Sequence, residues 1–195
     1  MNSKVVFVIF GPQGSGKSTQ VERLAKTLNF AIFEAGTVLR EMAKTDKLLH
    51  QQISNGVLVG DESMFEIVDK FVEDTAPSKG YVFDGYPRNI DQFAGFSTIA
   101  SKYNWRVAGI FINLSDKSAT SRLSQRFQLI NGQKVVREDD SPEIVKKRLE
   151  TFKRETLPLR ESFREKFTLL EIDGEPGMDE VSQQISTAVG EFLHE

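Results

Sequence analysis

The chain has no cysteine among its 195 residues, so it can form neither a disulfide nor a cysteine-based zinc site. Long apolar runs are also missing: the longest early one, Val5–Phe10, has six residues, too few for a signal-peptide core or a membrane span. A cytoplasmic protein is therefore expected. Neither sign of charge dominates. With 28 acidic and 25 basic residues the net charge is -3, which offers no general attraction to nucleic acid or to an anionic membrane. No partner of either kind is expected, and an anionic ligand has to be met by basic groups gathered locally. There is no internal repeat and no low-complexity tract.

What the sequence does contain is an alternation of two patterns. Apolar, β-branched or aromatic runs at residues 4–10 (KVVFVIF), 80–84 (GYVFD), 107–114 (VAGIFINL) and 167–172 (FTLLEI) read as buried strands, with a shorter one near 31–33. Between them helical spacing predicts helices over 18–28, 63–75, 91–103, 117–126, 142–152 and 178–192. Buried strands alternating with helices predict an α/β fold with a parallel sheet covered on both faces. Two stretches, 34–61 and 127–140, look like poor core material; the second contains Asn131-Gly132, a turn pair that predicts a small hairpin.

Directly after the first strand stands Gly11-Pro12-Gln13-Gly14-Ser15-Gly16-Lys17-Ser18-Thr19, which satisfies G-x-x-x-x-G-K-[ST] and runs into a predicted helix. The spacing follows from phosphate chemistry. Glycines let successive N–H groups turn inward around phosphate oxygens, the helix N-terminus adds positive potential, Lys17 can bridge the β and γ phosphates, and Ser18 can ligate magnesium. The alternative is an ordinary glycine turn. At the C-terminal end of the next strong strand, where open parallel sheets place ligands, lies Asp84-Gly85-Tyr86-Pro87-Arg88. Asp84 suits magnesium, directly or through water, as the acidic partner of Ser18, although a turn cap would use the same residue. Arg88 can fork around a second phosphate. A guanine-reading N-K-x-D or T-K-x-D is lacking, as is a D-x-x-G after the phosphate loop, which argues against a GTPase switch.

These motifs, together with AGTVLR at 35–40, NGVLVGDE at 55–62, DGYPRNIDQ at 84–92, RLSQR at 122–126 and VREDDSPEIVKKRLETF at 136–152, resemble the adenylate kinase and UMP-CMP kinase family, nucleoside monophosphate kinases of the short-lid type. The resemblance implies a P-loop core in residues 1–30, 61–126 and 138–195, a monophosphate-binding insertion in 31–60 and a short lid in 127–137. It implies ATP as donor, AMP as acceptor, two ADP as products, Mg2+ as the helper ion and a monomer. ATP would be held by Gly14, Ser15, Gly16, Lys17, Ser18, Thr19, Arg122 and Arg126, with Arg122 flat against its adenine. The acceptor would be held by Ala35, Arg40, Gly56, Val57, Leu58, Val59, Gly85, Arg88, Gln92, Arg137 and Arg148. Lys17, Arg88, Arg126, Arg137 and Arg148 would act on the transferring phosphoryl, and Ser18 with Asp84 would serve the metal. A single arginine of this kind is as readily a solvated surface charge.

The chain departs from the family pattern at four places. Thr37 replaces an acidic residue, Ala35 lacks a hydroxyl that the acceptor base would use, Gly60 stands for proline, and Phe127 replaces glycine. Ten residues separate Arg126 from Arg137, and they include no zinc ligands. Gln92 favours AMP, because a carboxamide matches the donor and acceptor of the adenine edge. Ala35 and Asn89 look more like the UMP-CMP branch, which remains the alternative. A nucleotide-dependent interaction or switch protein is a more remote one.

Overall fold

The computed structural model describes residues 3–44, 61–75, 79–124, 127–130, 133–136 and 142–194. Five strands form one sheet: β1 Val5–Phe10, β2 Ala31–Glu34, β3 Gly80–Asp84, β4 Arg106–Asn113 and, numbered after the small hairpin strands β5 Phe127–Ile130 and β6 Gln133–Val136, β7 Thr168–Asp173. The order is β2-β3-β1-β4-β7, with every pairing parallel. The helices are α1 Lys17–Leu28, α2 Ala35–Ala43, α3 Asp61–Asp74, α4 Ile90–Lys102, α5 Asp116–Ser124, α6 Pro142–Thr151, α7 Leu159–Lys166 and α8 Met178–His194. A π-helical turn, Phe152–Thr156, follows α6.

The continuous apolar character of β1 is explained by burial on both faces. Val6, Val8 and Phe10 join a core with Tyr81, Phe83, Phe96, Trp105 and Phe163, roofed by α3, α4 and α7. Phe7 and Ile9 point the other way, into a core with Val21 and Leu24 of α1 and Val181, Ile185 and Val189 of α8. Gly109, in the middle of β4, is required by close approach: a Cβ there would lie 2.7 Å from the Phe163 ring. The antiparallel hairpin aligns Ile130 with Gln133, so the pairing flanks the expected Asn131-Gly132 turn, whose own residues lie outside the described ones.

Two helices were absent from the expectation. In α2 the apolar residues Ala35, Val38, Leu39, Met42 and Ala43 do fall at helical spacing, but the segment is short and sits inside a stretch that looks polar overall. In α7 only Leu159 and Phe163 are apolar, yet both are fully buried; two residues one turn apart carry too little periodicity to be recognised. The predicted helix over 117–126 is found over Asp116–Ser124, with 125 and 126 outside the described residues, and that over 142–152 ends at Thr151, where the π-helical turn takes over. Among the described residues no helix is long and apolar enough to cross a membrane.

Candidate active site

Because all five strands run parallel, their C-terminal ends open on one edge. The register sets Glu34 beside Asp84, Ile9 beside Asp84, Phe10 beside Phe111 and Asn113 beside Asp173. The loops that leave this edge after β1 and β3 carry Gly14, Ser15 and Gly16, and Gly85 and Arg88.

The first loop leads from β1 into α1. Gly14 and Gly16 have φ of 84° and 83°, a left-handed conformation that side-chain-bearing residues adopt at a cost. Gly16 is also the residue capping α1, so the helix's unpaired N–H groups begin at the phosphate loop. The Lys17 ammonium lies across the loop and donates to the carbonyls of Gly11 and Pro12, both at 2.8 Å. Ser15 is buried, and its hydroxyl has no hydrogen-bond partner among the described residues. The Ser18 hydroxyl donates to Asp84 Oδ2 at 3.0 Å, so the structure joins the two residues expected to serve a metal although they lie 66 positions apart. Gly14 approaches α5 closely: a Cβ there would come within 3.0 Å of the Ala119 carbonyl.

The second loop follows β3. Gly85 has φ 77°, the Tyr86-Pro87 peptide is cis, and the Arg88 Nε donates to the Gly85 carbonyl at 2.8 Å. The Arg88 side chain reaches solvent, yet it is walled by dense protein. Loss of hydration lowers its pKa from the ordinary arginine value, and the Asp84 charge opposes that shift. Asn89 caps α4 by accepting from Gln92 N–H at 2.8 Å, and Gln92 Oε1 accepts from Arg88 N–H at 2.9 Å. Gln92 is therefore 4% exposed and not a helix-surface residue. One of the two lone pairs of the carboxamide oxygen holds the Arg88 backbone, which leaves the oxygen the capacity for a second bond.

Ala35, likewise expected at the acceptor, is buried, with its Cβ 3.6 Å from the Cβ position of Gly85. Arg40, one turn further along α2, donates through its terminal NH2 to Thr37 Oγ1 at 3.0 Å, and Thr37 donates to Glu34 Oε2 at 2.7 Å. Arg148 on α6 donates to Gln13 Oε1 of the phosphate loop at 3.3 Å, which brings it to the first site. Arg122 on α5 donates to the carbonyls of Glu175 at 2.8 Å and Pro176 at 3.2 Å. Arg126, Arg137, Gly56, Val57, Leu58 and Val59 lie outside the described residues, as does Gly60. Thr19 sits on the first turn of α1, half-buried.

Comparison with known proteins matches residues 9–168 to the family model described as adenylate kinase. The chain is 32% identical to the adenylate kinase of Xylella fastidiosa (strain M12), over 94% of this chain and 98% of that protein. It is 32% identical to that of Porphyromonas gingivalis (strain ATCC BAA-308 / W83), over 95% of each. With the adenylate kinase of Methanocella arvoryzae it shares 29% identity over 94% of this chain and 97% of that protein. The chain belongs to the adenylate kinase family.

Several residues of this adenylate kinase family member shape the site without having stood out in the sequence. Gln13 meets Arg148, Glu34 anchors the Thr37–Arg40 pair, and Thr156 of the π-helical turn donates to the Arg88 carbonyl at 2.9 Å. Gln20, buried on α1, reaches the Met178 carbonyl at 3.1 Å. Gln13, Thr156 and Gln20 act across long stretches of chain, so no local pattern marks them. For Glu34 alone a local signal existed, since Glu34, Thr37 and Arg40 follow one another at a spacing of three where a strand passes into a helix.

Proposed function

We propose that the protein is an adenylate kinase that transfers the terminal phosphoryl group of ATP reversibly to AMP, yielding two ADP. The observation that carries the reading is the Ser18–Asp84 contact of 3.0 Å, which joins the first turn of α1, directly after the phosphate loop, to the end of β3, just before the loop that holds Arg88. The loops after β1 and β3 leave neighbouring parallel strands at the same sheet edge, which supports a reading in which two nucleotide phosphates are brought together there.

Chemically, an oxygen of the AMP phosphate attacks the γ-phosphorus of ATP, and the bond from that phosphorus to the β,γ-bridging oxygen breaks. The attacking oxygen is already anionic near neutral pH, so no general base is needed, and catalysis reduces to positioning and neutralising charge. Lys17 moves its ammonium from the Gly11 and Pro12 carbonyls to phosphate oxygens. Gly14, Ser15, Gly16 and Thr19 supply the cradle, Arg88 and Arg40 hold the AMP phosphate, and Arg148 with Arg126 and Arg137 surrounds the transferring group. Arg122 presents its guanidinium to the donor base. By the family resemblance the 31–60 insertion and the 127–137 lid would serve to exclude water. The Ser18 hydroxyl and Asp84 carboxylate are hard oxygen donors and fit Mg2+, which keeps much of its water and takes one or two protein oxygens beside substrate phosphates. When bound, that ion supplies charge neutralisation at the phosphates.

A pyrimidine acceptor is the second reading, favoured by the buried methyl of Ala35, which offers no hydroxyl to the base. A panel of AMP, UMP and CMP with ATP and magnesium, read by diphosphate formation, separates the two. The expected result is AMP-dependent ADP formation at the highest kcat/KM. A kcat/KM for UMP or CMP equal to or above that for AMP replaces the first reading by the second, and transfer that ignores the acceptor overturns both.

A further inference from the structure

The segment after β7 and the start of α5 are tied together twice, in opposite directions. From the segment, Glu175 Oε1 accepts from Ser115 N–H at 2.7 Å and Oε2 accepts from the Ser118 hydroxyl at 2.5 Å. From the helix, Arg122 crosses the same gap and donates to the carbonyls of Glu175 and Pro176. Ser115 caps α5, its hydroxyl accepting from Ser118 N–H at 3.2 Å and its carbonyl from Ala119 N–H at 2.8 Å. The carboxylate thus sits at the positive end of the helix, where an anion is favoured. Hydrogen bonds from Ser118 first, then Ser115, with a smaller contribution from the Arg122 charge, hold its pKa down at about 2.

Closing a surface turn does not by itself require this side chain. The segment is already pinned by Gly174 N–H on the Asn113 carbonyl at 2.7 Å, by Glu175 N–H on Asp173 Oδ1 at 3.0 Å, and by Gln20 on Met178. What the Glu175 carboxylate adds is a fixed distance between α5 and the two carbonyls that receive Arg122. A long, flexible guanidinium stem is ordered only where its acceptors are already in place. The clamp also borders the phosphate loop, because the Met178 Cε lies 3.1 Å from the Cβ position of Gly16.

We infer that Glu175 is a positioning residue: through its bonds to Ser115 and Ser118 it sets the Arg122 guanidinium as a fixed platform for the donor nucleotide's base. This rests on the reading that Arg122 meets that base, and the test keeps the two apart. Glu175→Ala, Ser118→Ala and Arg122→Ala are compared with the parent by varying ATP and AMP separately at saturating magnesium, with a thermal melt for each. Loss of the charge-assisted bonds should raise KM for ATP about tenfold in Glu175→Ala and about threefold in Ser118→Ala. KM for AMP should stay within about twofold and kcat at saturating ATP within about threefold, because the interaction is one of binding and not of the transition state. Glu175→Gln, which keeps one acceptor oxygen, should fall between the parent and Glu175→Ala. If Arg122→Ala raises KM for ATP while Glu175→Ala and Ser118→Ala leave it unchanged, the positioning role is wrong. A parallel rise of both KM values with a lowered melting temperature overturns it too, leaving Glu175 a structural clasp. If Arg122→Ala itself leaves KM for ATP unchanged, the donor-base reading of Arg122 is what has failed.

Discussion

Replacing Gly85 by alanine tests whether Arg88 holds the acceptor phosphate, because the structure separates the cost to folding from the cost to catalysis. With φ at 77°, Gly85 occupies the left-handed region, where an added Cβ costs about 1–2 kcal/mol. For a chain of this length each kcal/mol lowers Tm by about 2–4 °C, so the melt should fall by about 2–8 °C. The new methyl would also lie 2.9 Å from an Arg88 guanidinium nitrogen, closer than atoms tolerate, and 3.6 Å from the Ala35 Cβ. The guanidinium sits at the end of a flexible stem, so it yields at little further cost in stability. It cannot yield without leaving the place set by its bond to the Gly85 carbonyl. A shift of this kind by ~1 Å costs about 100-fold in rate, and kcat/KM for AMP should fall by about that factor. The assay is steady-state ADP formation with AMP and ATP varied in turn, beside a thermal melt. A protein that shows the loss in Tm but keeps kcat/KM for AMP within about twofold refutes the placement of Arg88 at the acceptor phosphate.

Lys17→Met should leave the fold intact and lower turnover by at least about 100-fold, since Lys17 spends its ammonium on two loop carbonyls and not on the core; near-parental turnover with an unchanged melt removes the phosphate-loop assignment. Gln92→Ala should cost about 1 kcal/mol of stability, through the orphaned Arg88 N–H, and narrow the preference for AMP over UMP and CMP by about tenfold. An untouched preference in the monophosphate panel means that Gln92 serves only the Arg88 backbone. Thr37→Val removes the hydroxyl between Glu34 and Arg40 and should raise KM for AMP by about threefold without lowering kcat, while Thr37→Ser restores it. Equal KM values for the parent and the valine variant show that Arg40 needs no such holder.

The sequence by itself determined the class of fold and the place of the glycine-rich loop between the first strand and the first helix. Runs such as KVVFVIF and GYVFD are apolar on both alternating sets of positions, and only a strand covered on both faces can bury both, as Phe7 and Val8 do in separate cores. The phosphate loop is equally legible, because its chemistry is carried by consecutive backbone N–H groups and is written in consecutive residues. The hairpin around 131–132 follows from a turn pair for the same reason of locality.

Tertiary structure alone decided what depends on residues distant in the chain. That Asp84 meets Ser18, and that Arg148 meets Gln13 across 135 positions, follows from strand order and helix packing, which no local periodicity encodes. The helix at Leu159–Lys166 exists because Phe163 finds the space that Gly109 leaves on the neighbouring strand, a complementarity visible only once both are folded together. The state of Gln92 was likewise undetermined from sequence. A glutamine four positions after an arginine can face solvent or a base, but burial on the first turn of its helix gives its oxygen to the Arg88 N–H, since a buried donor left unpaired costs more than the bond returns elsewhere.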